Sequence, residues 1–226
     1  MVTIRDFKKK SFQRKVARRT PKKLFLIACE GEKTEPNYIN DMVESCKRAG
    51  KIAIGSKVLI VNHQHTDPAG VLKDLLAHPY FEDAEQRWIV VDRDEIENIK
   101  SENGGHTREN FDFAMQESAS RNVEVAYSNP CFELWLVLHF EYRDSSSSRV
   151  DIQKKALELL KKEKILRASD KIDDLKAAKG LFTVLGEKRL KTARKNAEKL
   201  YCRHGESRDN PSTSVHKLVE AVENLG

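Results

Sequence analysis

Acidic side chains follow two apolar segments of the sequence, and their types and spacing are those of a divalent-metal site. Glu30 follows the apolar run 24–29, and Asp92 and Asp94 follow the run 88–91. Side chains two residues apart on an extended chain point the same way, so Asp92 and Asp94 can face one ligand together. Carboxylates that face one another repel unless a cation lies between them, and Mg²⁺ prefers oxygen ligands. The pattern predicts a Mg²⁺ or Mn²⁺ site with Glu30, Asp92 and Asp94 as ligands.

A metal held by these acids would support chemistry on phosphate esters. A bound cation can polarise a phosphoryl oxygen or lower the pKa of a bound water, and two metals about 4 Å apart can do both. In this interpretation Asp92 and Asp94 position the metal, and Glu30 binds it or takes a proton. An isolated Asp-x-Asp is weak support, because acids after strands are often solvated or cap helices. The glutamate after the first strand makes the prediction considerably stronger.

Glu133 is the only charged residue in the apolar segment 131–138. An ionised carboxylate is costly to bury in such a segment unless it is paired. Glu133 is therefore predicted to be a further catalytic residue, as a metal ligand or as an acid or base. The alternative is that it only interacts with the helix dipole or with an arginine. His139, next to the same segment, is predicted to be a core histidine with its hydrogen bonds satisfied.

Five basic residues are candidates for contacts with phosphate or nucleic acid. Lys33 and Arg93 flank the predicted ligands and could stabilise charge on a phosphoryl centre, or could merely balance the neighbouring acids. His63 and His65 follow the second predicted strand and could touch substrate, with metal ligation the less favoured role. Arg208 precedes a predicted helix N-terminus that could bind phosphate or could be an ordinary cap.

The acids can converge only if regular elements bring them together, and the sequence predicts an α/β fold. Apolar strand-like segments alternate with helical ones over roughly a hundred residues, which is typical of a parallel sheet with helices on both faces. Ligands bind at the carboxyl ends of such strands, so Glu30 and Asp92 would share an edge. The predicted strands are 24–29, 57–61, 87–91 and 122–127, and the predicted helices between them are 34–49, 68–78 and 107–120, with Thr34 and Asp67 as N-caps.

Beyond Asn129 and Pro130 the pattern is helical to the end of the sequence. The predicted elements are an apolar helix over 131–140, a serine linker at 145–148, and helices over 150–164, 171–200 and 211–224, with a break near Gly180 or Gly186 and with Asn210 as the last N-cap. The predicted organisation is a basic arm over 1–23, an α/β domain over 24–142 and a C-terminal helical region over 149–226.

Charge is distributed unevenly along the chain. Residues 1–23 carry ten Lys or Arg and one acid, residues 24–149 carry thirteen basic and twenty-two acidic residues, and residues 150–226 carry eighteen and twelve. An acidic centre between basic flanks suits a metal enzyme that binds nucleic acid, although solvated basic surfaces would give the same totals. Lys188, Lys191 and Lys195 lie at helical spacing and could contact nucleic acid or an acidic partner, or could be solvated.

Composition excludes a membrane protein of the helical type. No apolar run approaches the roughly 18–20 residues that a bilayer span needs. The apolar run after the basic N-terminus is too short for a signal-peptide core. We therefore expect a cytoplasmic protein without a membrane partner, and its four widely spaced cysteines are expected to be reduced.

Four sequence blocks resemble known proteins. The acids after the first and third predicted strands are similar to those of the TOPRIM fold, which topoisomerases, primases and some nucleases share. More closely, the chain resembles the RloB family in the blocks EGEKTEPNY at 30–38, DRD at 92–94, SNPCFELW at 128–135 and NPST at 210–213.

The resemblance implies a TOPRIM-like parallel sheet of about four strands flanked by helices, with a C-terminal helical region. It gives Glu30, Asp92 and Asp94 roles in metal binding or proton transfer. It also implies abortive infection or another bacterial defence against phages, with an ATPase encoded nearby as the partner. TOPRIM proteins often carry a small residue where Glu95 follows here, so the number of metals stays open.

These observations together predict a Mg²⁺-dependent nuclease, acting on DNA or RNA as the effector of phage defence. One alternative is a non-catalytic regulatory or docking subunit of a defence ATPase. Another is a metal-dependent phosphatase or nucleotidyl transferase, although phosphatases with an aspartyl nucleophile usually carry their Asp-x-Asp after the first strand. The oligomeric state stays open, a homo-oligomer included.

Overall fold

The computed structural model describes residues 23–62, 64–93, 107–203, 207 and 209–225. The strands are β1 (Leu24–Cys29), β2 (Lys57–Val61), β3 (Gln86–Asp92), β4 (Glu124–Asn129) and β5 (Ser212–Thr213). The helices are α1 (Thr34–Arg48), α2 (Pro68–Leu76), α3 (Arg108–Ser120), α4 (Glu133–Leu138), α5 (Arg149–Lys162), α6 (Ile172–Ala177), α7 (Leu181–Arg203) and α8 (Val215–Glu223).

The strands form one sheet in the order β2-β1-β3-β4-β5. The first four strands are parallel, and β5 pairs antiparallel with the end of β4. The predicted α/β class with a parallel sheet and a C-terminal helical region is confirmed. The fifth strand was not predicted, because two residues are too few to show an alternating pattern.

Helices cover both faces of the sheet, which explains the unbroken apolar run of β1. Ile27 and Cys29 enter a core with α1 and α4–α8, whereas Leu26 and Ala28 enter a second core with α2 and α3. A strand buried on both faces reads as continuously hydrophobic rather than alternating. The first core is the larger, because every helix of the C-terminal region packs on that face.

Helix ends follow local hydrogen bonding, and two of the predicted caps are wrong. Asp67 caps α2 as predicted, accepting from Gly70 N at 3.1 Å. Thr34 is not a cap but the first residue of α1, after Lys33, which makes no side-chain capping bond. Asn210 does not begin a helix either. Its side chain exchanges hydrogen bonds with the backbone of Ser147, and α8 begins only after β5.

A break in the long C-terminal helix was predicted from glycine and is present. Gly186 lies inside α7 with φ 71° and ψ 172°, a conformation that side chains with a Cβ rarely adopt. The helix therefore bends there and continues to Arg203. Within the described residues, no helix is both long enough and apolar enough to cross a bilayer.

Candidate metal centre

The sheet order creates a crevice where the acids were predicted to meet. The chain leaves β1 toward β2 on one side, while β3 lies on the other side, and such a switch point is where parallel sheets bind ligands. Glu30 follows β1 and its N–H donates to Val90 O at 2.9 Å. Asp92 ends β3, and its N–H donates to Glu30 Oε2 at 2.9 Å. The structure therefore brings Glu30 and Asp92 into direct contact.

Two further carboxylates lie at the same place. Glu35 is in the first turn of α1 and Glu133 in the first turn of α4. Both are buried, with 6% and 3% of their surface exposed, and Asp92 is 4% exposed. Glu35 is within electrostatic reach of both Glu133 and Asp92. We call Glu30, Glu35, Asp92 and Glu133 the acidic cluster.

Gly31 makes room for one member of the acidic cluster. A Cβ atom built on Gly31 would lie 2.0 Å from Glu35 Oε2 and 2.8 Å from Glu35 Oε1. The Glu35 carboxyl group therefore lies directly against the backbone that follows Glu30. The glycine that follows Glu30 is therefore sterically required, because any larger residue at position 31 would displace the Glu35 carboxyl group.

Burial and like charge raise the pKa of two members of the acidic cluster, Glu35 and Asp92. Burial, followed by the neighbouring Glu133 carboxylate, raises the pKa of Glu35 to about 7. Burial and then Glu35 raise the pKa of Asp92 well above its usual value, although Arg149 acts in the opposite direction. Carboxyl groups with such shifts are typical of functional sites, because structural acids are usually solvated or individually paired.

One cation from the C-terminal region contacts the acidic cluster. Arg149 is the first residue of α5, and its Nη2 lies 3.2 Å from Asp92 Oδ2. Asp92 is thus ion-paired with a protein cation at the position where a metal was expected.

Arg93 points to the other face of the sheet. Neighbouring residues on a strand alternate between faces, so Asp92 faces α1 and α4 while Arg93 faces α3. Its guanidinium lies 4.7 Å from the Phe111 ring centroid and donates to Asp112 Oδ1 at 3.3 Å and Ser207 Oγ at 3.1 Å. The Arg93 side chain has no exposed surface, so the structure does not bring it to a phosphate at the acidic cluster.

The donor chemistry of the acidic cluster fits a hard divalent cation. Buried carboxylate oxygens are the ligands that Mg²⁺ and Mn²⁺ prefer, and Mg²⁺ needs few of them because it retains water. In the parts of the chain that the structure describes, no three His, Cys, Asp or Glu side chains are already arranged to hold a metal. A cation at Asp92 would lie beside the Arg149 guanidinium, which contacts Asp92 Oδ2.

Three of the predicted site residues, Asp94, His63 and Arg208, lie outside the described residues. Lys33 is exposed at the start of α1, on the same edge of the sheet as the acidic cluster.

His65 serves the local structure of the loop after β2. Its Nδ1 lies 2.8 Å from Asp74 Oδ1, and Asp74 Oδ2 also accepts from the backbone of Gln64 at 2.6 Å and of His65 at 3.0 Å. These hydrogen bonds, against the effect of burial, lower the pKa of Asp74. An open cavity of about 490 Å³ adjoins this pair.

Two of the four sequence blocks noted above, 128–135 and 210–213, meet in space. Ser128 and Asn129 at the end of β4 pair with Thr213 and Ser212 of β5. The Asn129 amide also donates to the carbonyl oxygens of Ser207 at 3.2 Å and Asp209 at 2.9 Å. These bonds anchor the segment from which α4, and hence Glu133, begins.

The structure also describes two secondary candidates. His139 is a core histidine, as predicted: Nδ1 lies 2.9 Å from Trp135 O and Nε2 lies 3.2 Å from the Tyr38 hydroxyl. Burial lowers the pKa of His139 to about 4, so it is neutral at physiological pH. The predicted basic face of α7 is exposed at Lys188, Lys191 and Lys195, and Lys191 pairs with Glu187 at 2.8 Å.

Two residues of the site were not predicted from the sequence: Glu35, a member of the acidic cluster, and Arg149, which contacts the cluster. Glu35 lies within the sequence block at 30–38 but was not selected as a site residue. Its position in the first turn of α1, five residues after Glu30, was the available signal. The sequence does not indicate that Arg149 belongs to the site, because only the packing of α5 against the sheet brings it to Asp92.

Comparison with known proteins agrees with the sequence blocks. The family described as RloB-like protein matches residues 25–222, which is most of the chain. The comparisons with curated proteins and with solved structures each found no match. Because the matched region includes the acidic cluster, the sheet and the C-terminal helices, the chain belongs to the RloB-like family.

Proposed function

We propose that the chain is a Mg²⁺- or Mn²⁺-dependent nuclease that acts in bacterial defence against phages. The observation that carries the proposal is the acidic cluster, in which buried carboxyl groups from α1, β3 and α4 converge with Glu30, which follows β1, at the switch point of a parallel sheet. Maintaining such a cluster costs stability, and a divalent cation is the ligand that offsets this cost best. The role in defence is supported by the resemblance to the RloB family.

The residues of the chain have distinct tasks in this mechanism. Asp92 and Glu30 would hold the cation together with Asp94, which the sequence places two residues after Asp92. When bound, the cation would polarise the scissile phosphate and lower the pKa of the attacking water. Burial and then Glu133 keep the pKa of Glu35 raised to about 7, and a carboxyl group that titrates near neutral pH can accept a proton at Oε and return it.

Nucleic acid is the polyanionic substrate that the charge distribution favours. The segment before the sheet carries ten basic residues, and α7 exposes Lys188 and Lys195. Phosphate contacts of this kind give affinity without sequence preference, so specificity would come from substrate shape.

The test is incubation of the purified protein with DNA, tRNA and bulk RNA in Mg²⁺ and in Mn²⁺. We expect cleavage of at least one substrate, and a loss of at least about a hundredfold in Asp92→Asn, as for removal of one electrostatic group from a reaction centre.

Asp112→Asn is the matched control, because Asp112 is an acid near the same edge that pairs with Arg93 on the other face. Its activity should stay within about threefold of wild type. Cleavage that survives equally in Asp92→Asn would come from a contaminant and would contradict the proposal.

A second candidate is a regulatory or docking subunit that does not cleave. The ion pair between Arg149 and Asp92 favours it, because this pair neutralises Asp92 without a metal. Such a subunit would bind no divalent cation at Asp92, which separates the two functions experimentally.

A further inference from the structure

Arg149 comes from the C-terminal helical region, yet its side chain ends in the acidic cluster. The guanidinium Nη2 lies 3.2 Å from Asp92 Oδ2, and its positive charge also acts on the pKa of Glu35. The Arg149 side chain is 34% exposed, whereas the Asp92 side chain is 5% exposed. The arginine therefore closes the solvent side of a buried carboxylate.

The backbone of Arg149 is held by local contacts, whereas its side chain is one third exposed. Ser148 caps α5, with its hydroxyl accepting from Asp151 N at 3.2 Å. The Arg149 carbonyl oxygen lies 4.0 Å from the buried Cys131 sulfur, just before α4. A long side chain on a backbone held in this way, with one third of its surface in water, can swing outward without unfolding the helix.

We propose that Arg149 is a positioning residue that holds Asp92 in the metal-free protein and competes with the divalent cation for that carboxylate. The proposal rests on the proposed function only in requiring that a divalent cation binds at Asp92. It makes the C-terminal helical region part of the site, since α5 supplies the competing charge.

The competition follows from charge and geometry. Both the guanidinium and a divalent cation need an oxygen of Asp92, and two cations a few ångströms apart in a partly buried site repel each other. Arg149 must therefore leave Asp92, or tolerate that repulsion, whenever a cation binds. Removing its charge should tighten cation binding, whereas removing a merely structural residue would loosen it.

The experiment measures Mn²⁺ binding by calorimetry at pH 8, in the absence of nucleic acid. The neutral variants Arg149→Met and Arg149→Gln are compared with wild type, with Arg149→Lys, and with Lys162→Met. Lys162→Met is the matched control, because it removes one positive charge from the exposed last turn of the same helix. Thermal unfolding checks that each variant is folded.

We expect the neutral variants to bind Mn²⁺ on the order of tenfold more tightly than wild type, from the loss of one unit charge beside the site. Arg149→Lys and Lys162→Met should stay within about threefold of wild type. Unchanged or weaker binding in whichever neutral variant is folded would overturn the proposal, and so would the absence of Mn²⁺ binding in all variants.

The result is independent of cleavage. If Mn²⁺ binding tightens as expected while no nucleic acid is cut, the nuclease function fails and the role of Arg149 stands. If nucleic acid is cut in an Asp92-dependent manner while Arg149→Met binds Mn²⁺ no more tightly than wild type, the role of Arg149 fails alone.

Discussion

Both faces of the sheet carry charged residues at the same edge, but the charged residues on the two faces differ in their partners. On the face of α2 and α3, charged groups have local partners: Arg93 binds Asp112 at 3.3 Å, and Asp74 binds His65 at 2.8 Å. On the face of α1 and α4, Glu35, Asp92 and Glu133 are buried together, and Arg149 makes the ion pair with Asp92. One face balances its charges individually, and the other concentrates negative charge.

The difference distinguishes acids that stabilise the fold from acids that destabilise it. A paired acid stabilises the fold through its hydrogen bonds, so its pKa is lowered, as for Asp74. A buried acid beside other acids destabilises the fold, so its pKa is raised, as for Glu35. Opposite shifts at one edge of one sheet therefore indicate opposite contributions to stability, which mutations can measure.

The largest expected effect is a stabilisation by Glu35→Gln. The folded-state pKa of Glu35 is about 7, above its unfolded value, so native stability falls as the pH rises from about 4.5 to 7. The glutamine cannot ionise, so Glu35→Gln lacks this loss of stability with rising pH. At pH 8 we expect Glu35→Gln to unfold with a free energy about 3 kcal/mol higher than wild type, and with little difference at pH 4. Urea unfolding of the metal-free protein across this pH range provides the measurement.

Asp74→Asn is the matched variant on the other face and should act in the opposite direction. Loss of its charge-assisted hydrogen bonds to the loop after β2 should cost about 2 kcal/mol at pH 8. If both variants were destabilised equally at every pH, the contrast between the two faces would be wrong.

A smaller effect is expected from a matched pair of glycines. A Cβ on Gly31 would meet the mobile end of Glu35 at 2.0 Å, whereas a Cβ on Gly70 would meet the Cβ of His65 at 2.2 Å. Gly31→Ala should displace the carboxyl group and weaken Mn²⁺ binding on the order of tenfold, with a stability loss of about 1 kcal/mol.

Gly70→Ala should affect the stability of the protein more than Gly31→Ala does, and its Mn²⁺ affinity less. The His65 Cβ is close to its own backbone and cannot give way, so a loss of about 2 kcal/mol of stability is expected, with Mn²⁺ affinity unchanged. Calorimetry and urea unfolding of both variants decide this prediction. Equal Mn²⁺ affinities in the two variants would show that Glu35 does not contribute to the cation site.

Much of the fold could be predicted from local patterns. The bounds of β1 and β2 and the Asp67 cap depend on residues close together in sequence, and each was predicted correctly. A break near Gly180 or Gly186 was also predicted, and the helical path is interrupted at Gly186. The contact between Glu30 and Asp92 follows from their places after two strands that turned out to be neighbours. Within the parallel part of the sheet, local hydrophobic patterning located all four strands, although β4 (Glu124–Asn129) lies two residues later than the predicted 122–127.

The remaining features depend on contacts distant in sequence. The sequence around Asn210 is typical of a helix N-cap. In the structure, however, the residues that follow it pair with β4 and form β5. The place of Glu35 depends on the packing of its side chain, in the first turn of α1, against Gly31. The sequence alone does not show this contact. Arg149 reaches Asp92 because α5 packs on the same face of the sheet as α1 and α4. Local propensity carries no information on such packing.

The central claim is that the acidic cluster binds a divalent cation through Asp92, and calorimetric titration of Mg²⁺ and Mn²⁺ tests it most directly. Wild type and Asp112→Asn should show saturable binding with similar affinity, and Asp92→Asn should show none in the same concentration range. Binding that is equal in all three proteins, or absent from all three, would contradict the account.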